Sequence, residues 1–422
     1  MRGARMLTWF LCAATAALSL SCRGGGTRAP SESGRSVPPT TSSAAHANDE
    51  PIGVQMMRIE PQLRTQRFST LVGFEAASDT VFVTPTGGEV RRDAQHVHTG
   101  RAALRVNAAA AIRVKLGSLV ARNAFPGAWT LLGAYAYAPD GAQLVITCQV
   151  GQANVAQRRL AIPPRRWTPA FLDITNLAET PALAPRGAAT SLLIQIESKG
   201  AVWFDDVVLI DNDEDLFVVP EAGNSLDGPW SIRRRGLFFV VTSPGRFATK
   251  LLAAESGGPA GWTVDEVGVV RARFSSAGRP ASATIYPDGR AYWDGSYRPL
   301  SAAAAEPAYV QQHLTPARLE LAEEFGRVDR NTAGDADNDG YNESRGAYQI
   351  RAAGPRLEIG FAPRTPTVMR PVFEVTGMPA GKAVVTIEGR LVEGHERLAD
   401  GTLLIDIPAR VNRPTTVSVK IQ

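Results

Sequence analysis

The stretch Val202-Trp203-Phe204-Asp205-Asp206-Val207-Val208-Leu209-Ile210 constrains this chain more than any other. Seven of its nine residues are apolar, most of them β-branched or aromatic, which marks a buried strand. Two adjacent carboxylates sit at its middle. A charge buried without a partner is costly, so at least one of Asp205 and Asp206 needs compensation, and a bound cation is the obvious candidate. The polar run Asp211-Asn212-Asp213-Glu214-Asp215 follows and ends a domain. The stretch reads as the closing strand of a β-sandwich with an ion in its rim.

The rest of the chain has the same texture. Its 422 residues predict two or three domains. Short β-type runs separated by many Gly and Pro residues predict an all-β protein built of sandwiches. In one strand Leu144, Ile146, Cys148 and Val150 share a face, with Gln143, Thr147 and Gln149 on the other. Leu192, Ile194 and Ile196 alternate likewise with Gln195 and Glu197. Such strands have one face in a core and one in water. A short helix is expected over Pro316 to Glu324.

The N-terminus reads as a targeting segment. Arg2 and Arg5 precede an apolar run from Met6 to Leu20, too short for a comfortable membrane span. It ends in Leu18-Ser19-Leu20-Ser21-Cys22, which resembles a bacterial lipobox, although Ser19 stands where that motif has Leu. The resemblance implies lipidation of Cys22 and a lipoprotein of the cell envelope, at the outer membrane or cell surface; the alternative is ordinary cleavage and a secreted or periplasmic protein. Cys12 would leave with residues 1–22 and Cys22 would be acylated. Cys148 is then alone, so no intrachain disulfide framework forms. Residues 23–66 are expected to be a disordered linker rich in Gly, Ser, Thr, Pro and Ala. Without Arg2 and Arg5 the chain has 43 basic against 41 acidic residues, which gives no reason to expect nucleic acid as a partner.

Phe74-Glu75, then His98-Thr99-Gly100 leading into Ala103-Leu104-Arg105-Val106, then Phe204-Asp205-Asp206-Val207 occur in that order over about 130 residues. In motif and spacing this resembles the jelly-roll carbohydrate-binding modules of the galactose-binding-like superfamily, over roughly residues 68–212. The resemblance implies an N-terminal jelly-roll β-sandwich, residues 67–215, that binds carbohydrate or polysaccharide. It also implies a structural calcium held by Glu75 and Asp205, with Asp206 as the alternate; calcium takes several oxygen ligands, and backbone carbonyls complete its shell. Candidate sugar ligands are Trp129, Tyr135, Tyr137, Gln149, Trp167, Gln195 and Glu197. Aromatic rings offer flat apolar platforms, and amides or carboxylates bind hydroxyls.

Residues 216–370 are expected to form a β-rich domain and residues 371–422 a small C-terminal β-sandwich unit, or all of these one larger sandwich. The second chemical signal lies here, in Asp335-Ala336-Asp337-Asn338-Asp339-Gly340-Tyr341-Asn342-Glu343. Acidic residues at alternate positions followed by Gly match the first half of a calcium loop. Asp335, Asp337 and Asp339 repel unless a cation lies between them, and Asn342 or Glu343 completes the shell. An EF-hand fails, because the twelfth position is Gly346 and no helical pair flanks the loop. The loop resembles the calcium loops inserted between strands of extracellular bacterial proteins.

No G-x-S-x-G, P-loop, H-E-x-x-H or cysteine metal cluster is present. The chain reads first as a non-catalytic, lipid-anchored protein that binds carbohydrate. The alternatives are a polysaccharide lyase or glycoside hydrolase with its active site in residues 228–370, and a structural envelope protein. For catalysis Glu266, Asp288, Asp294 and Glu343 are available, with nothing in the sequence to favour them.

Overall fold

Period-two alternation, punctuated by turns, builds the described residues mainly as β-structure in several separate sheets. The computed structural model describes residues 50–64, 66–107, 109–117, 129–175, 189–219, 228–254 and 261–422. Cys22, residues 1–22 and the linker up to residue 49 lie outside them.

Among the described residues the first sandwich has eleven strands: β1 (Arg67–Val72), β2 (Val83–Thr86), β3 (Glu89–Asp93), β4 (Ala103–Asn107), β5 (Ala111–Gly117), β6 (Leu131–Tyr137), β7 (Ala142–Val150), β8 (Ala153–Ile162), β9 (Thr168–Asp173), β10 (Thr190–Glu197) and β11 (Val202–Asp211). One sheet runs β3-β4-β11-β6-β9, with β1 also on β11; the other runs β2-β5-β10-β7-β8. The inward alternation of Leu144, Ile146, Cys148 and Val150 with Leu192 and Ile194 is present as expected, and these residues pack against Leu104, Phe204 and Leu209 of the first sheet. Burial pushes the Cys148 thiol up to about 12, so it packs as an apolar side chain. β11 closes the domain in sequence but lies inside its sheet, which is why nine of its ten residues are buried.

The expected linker is partly structured. Ile52–Ile59 forms helix α1, and Pro61–Arg64 a 3₁₀ turn. Met56 and Leu63 face one way and cover the outward apolar residues Leu131, Phe171, Val208 and Ile210 of the first sheet. Those outward residues needed a cover, and the apolar spacing of this segment supplies it.

The second sandwich joins two meanders. Strands Glu214–Val218, Ser231–Arg235, Phe238–Ser243 and Phe247–Leu252 form one; strands from Trp262–Val267 to Ser296–Tyr297 form the other. Trp230, Ile232, Val241, Phe274 and Ile285 fill the space between them. The third sandwich is built from strands between Arg318–Glu320 and Thr415–Ile421. A boundary at residue 371 would cut both of its sheets, because Arg356–Ala362 pairs with Thr415–Ile421 and Ala347–Ala352 pairs with Val372–Thr376. The residues on either side share one core, including Ile350, Phe361, Phe373 and Val419. The helix expected at Pro316 lies upstream instead, as α2 (Pro307–Leu314) with Pro307 at its first turn, and Arg318–Glu320 is a strand.

Candidate functional site

The paired carboxylates of β11 occupy a β-bulge. The register against β6 slips between Asp205 and Val208, and Asp206 has φ +47°, so both carboxylates leave the ladder on one side of the strand. They meet the loop 98–102. The Asp205 carboxylate accepts the backbone amides of His98 at 3.0 Å and Thr99 at 3.3 Å. Asp206 accepts the Thr99 hydroxyl at 2.7 Å and lies 2.7 Å from His98 Nδ1. Glu75 caps the other end of the same loop, accepting the amides of Arg101 at 3.0 Å and Ala102 at 3.4 Å. The two carboxylates assigned to calcium by resemblance thus flank one loop and bind its backbone. The cation that meets the buried charge on the protein side is His98. Burial alone would lower its pKa, but the hydrogen bond to Asp206, the contact with Glu60 and the charges of Asp206 and Asp205 outweigh burial and raise it to about 9. Glu60, at the end of α1, stands 3.7 Å from His98 Nε2, an ion-pair distance rather than a hydrogen bond. Burial and the neighbouring Asp206 raise the Asp205 pKa well above the usual carboxylate range.

Next to this buried pair the outer face of the first sheet carries rings in a row. Arg105, Trp203 and Tyr137 stand opposite one another on β4, β11 and β6. The Arg105 guanidinium lies 5.1 Å from the centre of the Trp203 ring. His96 stacks on Tyr137 at 4.4 Å and meets Trp203 edge-on at 4.6 Å. Trp167 continues the row 5.6 Å beyond Tyr137. Trp203 is buried beneath; Tyr137, Trp167, His96 and Arg105 are half-buried. Asp93 holds Arg105 at 3.4 Å. Half-exposed rings bordered by a guanidinium and a carboxylate can hold the apolar face of a sugar and its hydroxyls together.

The structure brings Tyr137 and Trp167 together but disperses the other candidates. Tyr135 is fully buried, stacked on His98 at 3.9 Å. Trp129 belongs to the core between the sheets. Gln149, Gln195 and Glu197 lie on the outer face of the second sheet, across the sandwich; Gln149 accepts from Arg113, and Glu197 pairs with Arg159 at 3.0 Å. Trp203, His96 and Arg105, which complete the row, were not among the sequence candidates. The signal for Trp203 was available, since it alternates with core residues Val202 and Phe204 and must face outward.

Among the described residues one group of three carboxylates converges: ligand atoms of Asp335, Asp337 and Glu343 lie within 4.8 Å of one another. Asp339 is turned into the backbone, accepting the Tyr341 amide at 2.8 Å. Burial, with the charges of Asp335 and Asp337, raises the pKa of both Asp339 and Glu343.

A cavity of about 250 Å³ lies between the second and third sandwiches, lined by Glu266, Arg271, Arg273, Arg345 and Glu374. Its charges are matched internally. Arg271 binds Glu266 at 2.7 Å and also Glu374, while Arg345 and Gln349 each reach Glu374 at 2.7 Å. Burial would raise the Glu374 pKa, but Arg271 and Arg345 lower it to about 2. Glu374 is therefore an ion-pair carboxylate and no proton donor near neutrality. Asp288 is bound to Arg290 at 2.7 Å, and Asp294 accepts the Ser282 amide at 2.6 Å.

No family model and no curated protein matches this chain. Solved structures similar to about a third of this chain include carbohydrate-binding modules with β-sandwich folds. The C-terminal family 22 carbohydrate binding module of Clostridium thermocellum Xyn10B is 14% identical, covering 33% of this chain and 90% of that one, with TM-score 0.24. The CBM22-1 xylan-binding domain from Paenibacillus barcinonensis Xyn10C is 15% identical, covering 35% and 96%, with TM-score 0.26. The family 11 module of Lic26A-Cel5E of Clostridium thermocellum is 13% identical, covering 34% and 95%, with TM-score 0.24. Likenesses at this level carry no functional argument; that rests on the geometry of the site.

Proposed function

We propose that the protein binds polysaccharide through the outer face of its first sheet, without chemical conversion. The observation that carries the reading is the ring row: Tyr137, Trp167 and His96 half-exposed over buried Trp203, with Arg105 at their border. Stacking on such rings suits a sugar strand whose hydroxyls meet Arg105 and Asp93. The lipobox resemblance at Cys22 supports presentation of this face from a membrane. Affinity electrophoresis against a panel of soluble plant and bacterial polysaccharides tests the binding. Retardation by at least one glycan, lost in Trp167→Ala and retained in Gln195→Ala on the opposite face, is the expected result. No retardation by any glycan, or equal loss in both variants, overturns it. Replacing Cys22 with Ser should move the protein from the membrane fraction to the soluble one.

A second reading, catalysis in the second half, is favoured by one observation. Glu396 lines a cavity of about 560 Å³ together with Glu266, and burial raises the Glu396 pKa. Two carboxylates at one cleft are what glycoside hydrolysis requires. Release of reducing ends from the retarding glycan, lost in Glu266→Gln, would establish it in place of plain binding.

A further inference from the structure

The acidic loop of the third sandwich carries a consequence for how the second and third sandwiches join. Besides its converging carboxylates it has two buried oxygens with no protein donor. Asp335, 8% exposed, accepts the Gly340 amide through Oδ2, while its Oδ1 is sealed from solvent and unpartnered. Asn342 is fully buried; its Nδ2 donates to Ala333 O at 3.0 Å, inside the same turn, and its Oδ1 has no donor. A Cβ added at Gly334 would stand 2.8 Å from that Oδ1. Buried acceptors without donors are rare, because each loses its water and regains nothing. The neighbouring guanidinium does not supply the missing charge, since Arg345 is turned away to Glu374.

We propose that Asp335, Asp337 and Glu343 bind one calcium ion, with the buried amide oxygen of Asn342 on the same turn, and that this ion fixes residues 342–346 against the second sandwich. The donor set is all oxygen, which selects a hard cation over zinc or copper. The departure at the twelfth loop position has a structural reason. Gly346 has φ +64°, and a Cβ there would overlap the ring of Tyr292 from the second sandwich, so no glutamate fits. Glu343 is the acidic residue the fold leaves in reach. The chain that follows it is what the second sandwich grips: Thr284 donates to Ser344 O at 2.9 Å and Tyr286 to Arg345 O at 2.8 Å. Holding Glu343 on an ion therefore holds both carbonyls in place, and holds Arg345 on Glu374.

The test is calcium titration of the chelator-stripped full chain by calorimetry, with terbium luminescence excited through the protein's tyrosines as a second readout. One calcium per chain is expected, with a dissociation constant on the order of 10⁻⁴ to 10⁻³ M, as in extracellular modules. Asp337→Asn, at an exposed position that leaves the fold intact, should weaken binding at least tenfold and quench the terbium signal. Amide hydrogen exchange of residues 342–346 should slow with calcium in the parent protein and not in the variant. No calcium heat and no terbium signal in the parent overturns the proposal. So does calcium binding that Asp337→Asn leaves unchanged, or calcium binding without slower exchange at 342–346.

Discussion

His98 and Asp206 form a pair sealed inside the first sandwich, Nδ1 to Oδ2 at 2.7 Å, with the imidazole 1% exposed and the carboxylate not at all. The pair ties the loop before β4 to the bulge of β11, and through Glu60 it reaches the end of α1. It makes the stability of this domain depend on alkaline pH. The folded-state pKa of His98 is raised to about 9 from 6.5. A raised pKa stabilises fully below the unfolded value and loses that contribution as pH climbs through the folded one. The loss therefore falls between about pH 6.5 and 9 and amounts to about 3 kcal/mol. The raised pKa of Asp205 works in the same direction. Thermal melts from pH 6 to 10 should show the first sandwich weakening across this window, and His98→Gln should flatten the slope. An equal slope in the variant would contradict the pairing.

Tyr135 and Tyr137 are two residues apart on one strand face and should behave as opposites. Tyr135 is fully buried between His98 and Phe171. Tyr135→Ala should cost about 3–5 kcal/mol in chemical denaturation, the usual range for a large buried aromatic. Tyr137 is half-exposed in the ring row, so Tyr137→Ala should cost less stability and weaken glycan binding tenfold or more, about 1.4 kcal/mol. A Tyr137→Ala variant with undiminished binding would remove this ring from the site.

Gly100 is fixed by two demands. Its φ is +69°, and a Cβ at this position would overlap the Glu75 carboxylate. Its amide also donates to Gln55 of α1 at 3.0 Å. Gly100→Ala should destabilise the domain by about 1–3 kcal/mol, the range for a non-glycine residue held in a sparsely populated backbone region. Denaturant midpoints compare the two proteins directly. Gly87, at φ +72° with no atom near its Cβ position, is the control that separates backbone strain from collision with Glu75.

What could be read in advance follows from how local each signal is. Alternation marks a strand with a core face, so the faces of β7 and β10 were legible. The need of Asp205 and Asp206 for a partner was legible too, because burial of charge is visible in an apolar run. The part His98 plays was not, since it reaches Asp206 only through the fold, from 108 residues away. Tyr137 and Trp167, chosen by ring type, lie side by side, whereas Gln149, Gln195 and Glu197 fell on the opposite face; which sheet a strand joins is not written in its own residues. The join at residue 371 failed for the same reason, because Ala347–Ala352 and Val372–Thr376 pair in parallel and carry no hairpin signal.

Glu374 ties the third sandwich to the second, and its removal should be felt in both. It is 5% exposed on the strand Val372–Thr376, and it accepts from Arg271, which is 1% exposed and directly precedes the strand Ala272–Ser276 of the second sandwich. Arg345 and Gln349 share its second oxygen. Glu374→Gln keeps the shape but leaves Arg271 buried with only Glu266 as a counter-charge. Leaving a buried charge underpaired costs about 3–5 kcal/mol, whereas replacing both partners by apolar groups is often near neutral. Arg271→Met with Glu374→Leu should therefore be more stable than Glu374→Gln alone. The pH dependence has the opposite sign to that of His98. The Glu374 pKa is lowered from 4.5 to about 2, so its contribution is present above pH 4.5 and fades as pH falls through 2. Melting curves from pH 2 to 7 should show the parent losing stability over that acid range and Glu374→Gln losing much less. If Glu374→Gln proves as stable as the parent at pH 7, the ion pair contributes nothing to holding the two sandwiches together.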